Sequence, residues 1–253
     1  MKNYLIKGLH RIGSTKWWPG SDRSWEGDLY PKYEKMNEIS KASFRHHLQG
    51  DWELINLVSE AEDVNHVFRQ QFQAIYQIWK SEPCNILYCG SDTQMIQPTE
   101  VFGKYQHFMM WNYTDPKDYG PCSHFLNADI RYYPSSMRQG IWDYALYQMK
   151  DLTWWNSDQV LYNLMVWGQG LGADQVINPK MAYQGFMLPQ QPQSLSDAWN
   201  GCTINEAHII HWHGSRGAQL KLDLMASINQ QLNIPEIPVR NISERTIDIS
   251  DIK

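Results

Sequence analysis

The apolar positions of the chain alternate between strand-like and helix-like patterns. Tyr4 to Leu9 is a short apolar run typical of a strand, and Trp52 to Val58 is a second. Between Val64 and Trp79, apolar residues recur every three or four positions, which predicts an amphipathic helix that packs on a sheet. A third apolar run, from Ile86 to Cys89, follows directly. Strands that alternate with helices in this way predict parallel α/β units.

The rest of the chain continues this alternation of helices and strands. Helices are predicted from Pro31 to Leu48, from Asp158 to Gly168 and from Ala218 to Leu232. A further helix is predicted after Ser135–Ser136, which can cap its N-terminus; its apolar face consists of Met137, Ile141, Tyr144, Ala145 and Met149. Strands are predicted at Tyr105 to Trp111, Phe125 to Tyr133, Ala182 to Met187 and His208 to Trp212. The polar tail from Pro235 carries alternating Ile residues. It fits an extended arm or an edge strand, in its own or in a neighbouring subunit.

The third predicted strand leads directly into a carboxylate. Its apolar run ends in Gly90-Ser91-Asp92, and apolar residues resume only at Met95. In open α/β sheets, ligands bind at the carboxyl ends of the strands. A carboxylate held there can bind a divalent metal and, through it, a phosphate. Because Gly, Ser and Asp are also ordinary turn residues, the segment on its own fits a simple Asp-containing turn equally well.

Size, charge and cysteine usage narrow the function classes. The 253 residues fit one α/β domain or two small domains. The net charge of −5 and the pI near 6.0 argue against a nucleic-acid-binding protein, which usually has a basic face. No apolar run reaches the length of a membrane span, and the N-terminus lacks the apolar core of a signal peptide. The four separated cysteines indicate reduced thiols and a cytosolic compartment. Because neither a signal peptide nor a membrane anchor is seen, we expect a bacterial or viral cytoplasmic protein.

The segment around Asp92 resembles the metal-binding motif of nucleotide-sugar glycosyltransferases with the GT-A fold, especially the glycogenin-like and galactosyltransferase relatives of family 8. In those families an apolar strand runs into Asp-x-Asp-Thr and then into an apolar stretch with Pro and Phe. Asp92 and Thr93 match the second Asp and its Thr, and Val101 and Phe102 match the closing apolar pair. Gly90 stands where the family usually has its first Asp, which commonly contacts the donor ribose or shares the metal.

Three further blocks resemble the family, in the family's own order along the chain. Phe125 to Ile130 resembles the Phe-Asn-Ala-Gly-Val strand that lines the donor sugar, with Asp129 in place of the usual Gly. Asp158 to Asn163 resembles the Asp-Gln-Asp-x-Leu-Asn block that begins a helix near the acceptor. Ile209 to Arg216 resembles the late His-Phe-x-Gly-x-x-Lys motif, in which the His binds the metal and the Lys contacts phosphate. Four ordered blocks together are a more specific signal than any one of them.

The resemblance implies a single α/β domain of GT-A type, with a Rossmann-like mixed sheet flanked by helices. Residues 1–130 are then the nucleotide-sugar-binding half, residues 131–232 the acceptor side and residues 233–253 an extended tail. The implied activity is a metal-dependent hexosyl transfer, with retention favoured, from a nucleotide diphosphate sugar (a UDP-sugar favoured) to a glycan or other hydroxyl acceptor. The implied metal is Mn²⁺ or Mg²⁺, and a homo-oligomer is compatible with the sequence. The implied metal ligands are Asp92 and His211, the donor-binding residues are Leu9, His10, Arg11, Ser91, Asp92, Asn127, Ala128, Gly214 and Arg216, and the catalytic residues are Asp92, Asp129, Asp158 and Gln159.

Several of these residues have plainer interpretations. Asp158 and Gln159 fit a helix N-terminus as well as a sugar site, and Arg216 fits a solvated surface position. Asn127 and Asp129 fit an internal hydrogen-bond network, because buried polar groups need partners. Asp129 could equally supply the carboxylate that is missing at Gly90.

Two alternative functions also remain open. The departures from the family pattern at Gly90 and Asp129 fit a non-catalytic nucleotide- or sugar-binding protein on the same fold. His208, His211 and His213 lie within six residues and, with Cys202, fit the zinc site of a hydrolase. Alternation along a strand places His211 and His213 on one face and Trp212 on the other. Among the histidines, the position relative to Gly214 selects His211 as the family's metal ligand.

Overall fold

The computed structural model describes residues 1–13, 28–104, 129–150, 157–168, 183–186, 198–199, 202–213, 217–235 and 240–252. In chain order, its elements are β1 (Lys2–Ile12), α1 (Tyr30–His47), β2 (Glu53–Ala61), α2 (Val64–Ser81), β3 (Cys84–Cys89), β4 (Thr93–Met95), β5 (Ile130–Tyr133), α3 (Gln139–Met149), α4 (Ser157–Gly168), β6 (Tyr183–Phe186), β7 (Ala198–Trp199), β8 (Cys202–Thr203), a 3₁₀ turn (Ile204–Glu206), β9 (Ile209–His213), α5 (Ala218–Gln231) and β10 (Glu244–Asp248).

The central sheet has five strands in the order β10-β2-β1-β3-β5. The strands β10, β2, β1 and β3 are parallel to their neighbours, and β5 is antiparallel to β3. Two crossovers, through α1 and through α2, connect β1 to β2 and β2 to β3. The alternation predicted for the first 90 residues is therefore confirmed, and the carboxyl end of β3 lies beside Lys7, in the second half of β1.

A smaller sheet lies beyond the end of β3 and carries the second half of the site. Its order is β4-β9-β6, with β4 antiparallel and β6 parallel to β9. The register places Thr93 opposite His211, although the two residues are more than a hundred positions apart in sequence. This pairing brings the segment after Asp92 next to the late histidine motif. A separate pair, β7 and β8, is antiparallel.

Two apolar clusters hold these layers together. The larger one fills the faces of the central sheet, where Phe72 and Ile75 of α2 and Trp142 of α3 are fully buried. The smaller one joins α1 and α5 to the β4-β9 sheet and includes Met225 and Trp212. Gln94 adds polar links, because its side chain donates to the Met225 carbonyl oxygen and accepts from the Trp212 indole N–H. The position of α5 relative to the site is thus fixed by packing and by hydrogen bonds.

The predicted start of α3 and part of its apolar face were wrong. The helix begins at Gln139, and its N-cap residue Arg138 makes no side-chain capping bond. Ser135 instead donates its backbone N–H to the Asn85 side chain at 3.0 Å, which ties this segment to the beginning of β3. Tyr144 is 48% exposed. Trp142 takes the buried position because its ring stacks on Tyr133, with 5.1 Å between the ring centroids.

The polar tail forms an edge strand on its own chain. β10 pairs in parallel with β2, with Glu244 opposite Leu54. The Glu244 carboxylate accepts from Asn56 at 2.7 Å and pairs with Lys41 at 3.1 Å and with Arg45. These buried or half-buried partners come from α1 and β2, so the tail fastens the first crossover. Of the two arrangements considered for the tail, the structure shows the edge strand within the same subunit.

The predicted fold class is confirmed as a mixed α/β fold with a mostly parallel central sheet and flanking helices. The predicted strand from Tyr105 to Trp111 lies outside the described residues, and the strand predicted from Phe125 is described from Ile130 onward. The division into two halves and a tail stays a prediction. In the described part of the chain, no helix has both the length and the apolar character needed to cross a membrane.

Candidate metal and nucleotide site

The turn after β3 is tightly held by the two neighbouring strands. All six residues of β3 are buried, and the turn Gly90-Ser91-Asp92 follows at its carboxyl end. The Gly90 N–H donates to the Asp129 carbonyl oxygen at 2.8 Å. The Ser91 hydroxyl donates to the Gly8 carbonyl oxygen of β1 at 2.6 Å. Asp92 is therefore presented by a rigid turn that is joined to β1 on one side and to the start of β5 on the other.

A fully buried lysine supports the same turn from below. Lys7 of β1 donates from Nζ to the Gly90 carbonyl oxygen at 2.5 Å, to the Ser40 hydroxyl at 2.6 Å and to the Thr93 hydroxyl at 3.0 Å. Burial lowers the pKa of Lys7 to about 8, since the charged ammonium loses its hydration. Its three oxygen contacts satisfy the ammonium donors where water cannot reach. Lys7 was not predicted as a site residue, although a lysine within an apolar strand is visible in the sequence.

Asp92, Asp129 and His211 form a compact cluster at this turn. His211 Nε2 lies 3.2 Å from Asp129 Oδ2 and 3.6 Å from Asp92 Oδ1. One ligand atom from each of the three residues lies within 4.8 Å of the others. The Trp212 N–H donates to the Asp92 carbonyl oxygen at 2.9 Å and continues the pairing of the second sheet to the site. The structure thus brings together two residues that the family resemblance implied as metal ligands, and it adds Asp129.

Asp129 occupies the space beside the glycine that replaces the first motif carboxylate. A Cβ atom added to Gly90 would lie 3.4 Å from Asp129 Oδ1 and 3.3 Å from Asp92 Oδ1. The Asp129 carboxylate therefore fills the region into which a side chain at position 90 would point. It arrives from the segment that enters β5, which runs antiparallel to β3. The geometry agrees with the sequence-based idea that Asp129 supplies the carboxylate missing at Gly90.

A second buried lysine, which the sequence interpretation missed, contacts the cluster. Lys221 of α5 is 2% exposed, and its Nζ lies 2.5 Å from Asp92 Oδ2. The same ammonium faces the ring of Tyr33, 5.5 Å from its centroid. The signal was present in the sequence, because Lys221 stands in line with the buried residues Met225 and Ile228 of the same helix. A lysine on the apolar stripe of an amphipathic helix indicates a buried partner of opposite charge.

The charges of the cluster stabilise one another. Burial alone would raise the pKa of Asp92, but Lys221 and His211 outweigh it and hold that pKa far below its usual value. Burial likewise opposes the charged form of His211, and the carboxylates of Asp129 and Asp92 outweigh it and raise the His211 pKa. Lys221 has a raised pKa because attraction to Asp92 exceeds the desolvation that would lower it. At pH 7, Asp92 is ionised and Lys221 is protonated.

A cavity of about 550 Å³ opens beside this cluster. Its walls come from the carboxyl end of β1, the first turn of α1 and the N-terminal half of α2, which contributes Val64, Val67 and Phe68. The cavity is also lined by these predicted site residues: Leu9, His10, Arg11, Ser91, Asp92 and Asp129. Its lining therefore combines the carboxylates of Asp92 and Asp129 with the apolar side chains of α2. The volume lies within the range of pockets that hold small ligands.

Two side chains at the end of β1 have defined partners. His10 Nδ1 lies 2.8 Å from the Ser59 hydroxyl, and burial lowers the pKa of His10 to about 4 against a smaller opposite effect of Gln71. Its imidazole is thus neutral at pH 7. The Arg11 guanidinium lies over the Tyr30 ring, 4.5 Å from the centroid, and both residues line the cavity. Stacked planar groups of this kind offer a surface for a further planar ligand.

The remaining predicted site residues are outside what the structure describes. Asn127, Ala128, Gly214 and Arg216 lie outside the described residues. Asp158 and Gln159 are in the first turn of α4, and their side chains are not described. The roles given to these residues stay predictions.

The zinc alternative finds no support in the described part of the histidine motif. His208 Nδ1 contacts the Thr99 hydroxyl and lies apart from the carboxylate cluster. The side chains of His213 and Cys202 lie outside the described part. Trp212 points into the apolar cluster, so the predicted opposition of His211 and Trp212 on β9 is confirmed.

No known protein family and no curated protein matches the sequence. The fold is similar to a solved apo structure of WbbM, a bifunctional glycosyltransferase, with a TM-score of 0.51 at 9% sequence identity. The similarity covers 92% of this chain and 51% of the WbbM chain, so this chain spans about half the length of that one. At such low identity the similarity concerns the fold alone. It agrees with the GT-A type α/β fold that the four sequence blocks implied.

Proposed function

We propose that this protein is a metal-assisted glycosyltransferase that moves a hexose from a nucleotide diphosphate sugar to a hydroxyl acceptor. The observation that carries the proposal is the Asp92, Asp129 and His211 cluster beside a 550 Å³ cavity at the carboxyl ends of two parallel strands. Ligands of open α/β sheets bind at this edge. The likeness in fold to a glycosyltransferase supports the same conclusion. By the sequence resemblance, we favour a UDP-sugar donor, retention at the sugar and membership of family 8.

The three side chains fit a divalent cation of the Mn²⁺ or Mg²⁺ type. Carboxylate oxygens suit these ions, and one imidazole nitrogen favours Mn²⁺ over Mg²⁺. Ligand atoms about 2.1 Å from one ion lie at most about 4.2 Å apart. His211 Nε2 meets this limit with both carboxylates, at 3.2 Å from Asp129 Oδ2 and 3.6 Å from Asp92 Oδ1. A bound divalent ion supplies Lewis-acid stabilisation of the negative charge on a leaving diphosphate. Asp129 is included among the ligands because Gly90 has no side chain and the Asp129 carboxylate fills the space beside it.

The protein residues bind and orient the donor. We assign the nucleoside to the part of the cavity between β1 and α2, which is lined by Leu9 and the neutral His10 of β1 and by apolar side chains of α2. Arg11 is placed to contact the nucleotide from its stacked position on Tyr30. Ser91 and the two carboxylates are then next to the diphosphate. Lys7 keeps the Gly90-Ser91-Asp92 turn rigid, so its carboxylate is preorganised before the donor arrives.

The remaining roles follow from the sequence resemblance. We assign Asn127 and Ala128 to the donor sugar, and Gly214 and Arg216 to the diphosphate. A guanidinium makes bidentate contacts with phosphate oxygens, which suits Arg216 to this role. Asp158 and Gln159, at the start of α4, are assigned to sugar hydroxyls on the acceptor side.

A nucleotide-release assay tests the proposal directly. Purified protein is incubated with a panel of UDP- and GDP-sugars, with Mn²⁺ or with a chelator, alongside Asp92→Asn and the control Asp143→Asn. Asp143 is an exposed α3 residue that accepts a hydrogen bond from the Gln139 side chain and belongs to none of the four site blocks. We expect Mn²⁺-dependent release from one donor class, lost in Asp92→Asn and kept in the control. Nucleotide binding without release from any donor would instead favour the non-catalytic binding protein.

A further inference from the structure

Lys221 is the feature of the cluster that neither the sequence blocks nor the proposed function accounts for. Its side chain is buried, with 2% exposure, and its ammonium contacts the carboxylate of Asp92, a proposed metal ligand. A buried charge is costly unless it is paired, so its partner is fixed. The ammonium takes Asp92 Oδ2. The other oxygen, Oδ1, is the one that faces His211 Nε2, at 3.6 Å. Asp92 can thus offer one oxygen to an ion while its second oxygen stays bound to Lys221.

The ammonium is held in place rather than free to leave. The Tyr33 ring covers it at 5.5 Å, and Tyr33 itself lines the cavity. The helix that carries Lys221 is fastened to β4 through Gln94, which donates to the Met225 carbonyl oxygen at 2.9 Å and to Asn229 Oδ1 at 2.5 Å. Gln94 is two residues from Asp92, so both partners of the ion pair belong to one braced unit.

A permanent positive charge at this point changes the charge balance of the site. Counting the two carboxylates and the ammonium alone, Asp92 and Asp129 contribute two negative charges and Lys221 contributes one positive charge, which gives a net charge of −1. A divalent cation makes that net charge +1. Without Lys221 the corresponding values are −2 and 0. The lysine therefore weakens the attraction of the empty site for a metal ion and strengthens the attraction of the loaded site for an anion.

We propose that Lys221 is a positioning residue that couples the metal to the nucleotide: it keeps divalent-cation affinity low in the empty site and favours a cation that arrives together with a diphosphate. The proposal rests on the proposed function for the identity of the anion. Its physical basis is the fixed Lys221–Asp92 contact and the charge balance. By linkage, the factor by which a diphosphate raises cation affinity equals the factor by which the cation raises diphosphate affinity.

The experiment measures Mn²⁺ binding by the loss of the free-ion electron paramagnetic resonance signal, with and without saturating UDP. For the wild-type protein we expect UDP to raise Mn²⁺ affinity by about tenfold or more. For Lys221→Met, which is unbranched and one atom shorter and removes the charge, we expect tighter Mn²⁺ binding without UDP and a smaller effect of UDP. The matched control is Lys41→Met. Lys41 is also a buried lysine paired with carboxylates, Glu38 and Glu244, and both of these lie outside the cluster. We expect it to behave as the wild type does.

The results distinguish failure of the role given to Lys221 from failure of the proposed metal and nucleotide site. Equal Mn²⁺ affinity of the wild-type protein with and without UDP would overturn the role of Lys221, and this measurement needs no variant to fold. Unchanged Mn²⁺ binding in a folded Lys221→Met protein would also overturn it. Mn²⁺ binding that is tightened by Lys221→Met while UDP binds to neither protein would support the charge effect and refute the nucleotide site. Absence of Mn²⁺ binding under all conditions would refute the metal site on which both proposals stand.

Discussion

Moving a carboxylate from position 129 to position 90 tests whether Asp129 replaces the first motif aspartate. Three variants are compared: Asp129→Ala, Gly90→Asp and the double variant. The single Asp129→Ala removes one of the three proposed ligands, and we expect Mn²⁺ affinity in the presence of UDP to fall by at least about tenfold, within the range seen when ligand shells are disturbed. In the double variant the new carboxylate enters the space that Asp129 has left. We expect it to recover most of the lost affinity.

The single Gly90→Asp variant should be less stable than the wild type in the absence of metal. Its Cβ would lie 3.4 Å from Asp129 Oδ1 and 3.3 Å from Asp92 Oδ1, so a third carboxylate is forced into an occupied space. Two carboxylates about 4 Å apart repel by about 4 kcal/mol at an effective dielectric constant near 20. We therefore expect a lower free energy of unfolding in urea without metal, and a partial recovery with Mn²⁺, which neutralises the repulsion.

The double variant can refute the idea that Asp129 replaces the first motif aspartate. A double variant that binds Mn²⁺ no better than Asp129→Ala, while folding normally, would show that the two positions are not interchangeable. Asp129 would then act in some way other than as the missing carboxylate. A stable Gly90→Asp single variant would show that the space at position 90 is larger than the structure gives.

Two further predictions concern stability. Burial lowers the pKa of His47 to about 4, below its value of 6.5 when unfolded, so the unfolded state binds the proton more tightly and stability is lost as the pH falls through that range. Between pH 7 and pH 5 we expect a loss of about 2 kcal/mol that is absent in His47→Phe, measured by urea unfolding at both pH values; an equal loss in both proteins would refute it. Glu244→Ala removes the acceptor of Lys41, Arg45 and Asn56, and since the carboxylate is part-exposed we expect it to cost about 1 kcal/mol. Relative to the wild type, hydrogen exchange in the variant should speed up more in β10 than in β1. Unchanged protection of β10 would contradict the role of Glu244 in holding this strand.

The main elements of the fold were predictable because they depend on local periodicity. The apolar run of β3 and the three- and four-residue spacing of α2 determine those elements directly, and the bounds differ by only a few residues. The local pattern made Asp92 a candidate, because a buried strand that ends in Gly-Ser-Asp places its carboxylate at the sheet edge, but only the family resemblance favoured a metal ligand over a plain turn. The start of α3 was missed because Ser135 bonds to Asn85, a contact that no local pattern contains.

The arrangement of the site depends on contacts between distant parts of the chain. That Asp129 lies beside Gly90 follows from the antiparallel pairing of β3 with β5, and that His211 lies beside Asp92 follows from the pairing of β4 with β9. The sequence offered Asp129 and His211 as members of separate blocks, and only the tertiary pairing makes them one cluster. Lys221 and Lys7 could have been noticed as lysines at apolar positions, but their partners could not have been named from the sequence.

The most direct test of the account is a crystal structure of the protein with UDP and Mn²⁺, with anomalous data collected at the manganese absorption edge. We expect one strong anomalous peak about 2.1 to 2.3 Å from Asp92 Oδ1, Asp129 Oδ2 and His211 Nε2, with the UDP diphosphate as a further ligand and the uridine in the cavity between β1 and α2. A peak at other residues, or UDP bound outside that cavity, would contradict the proposed site.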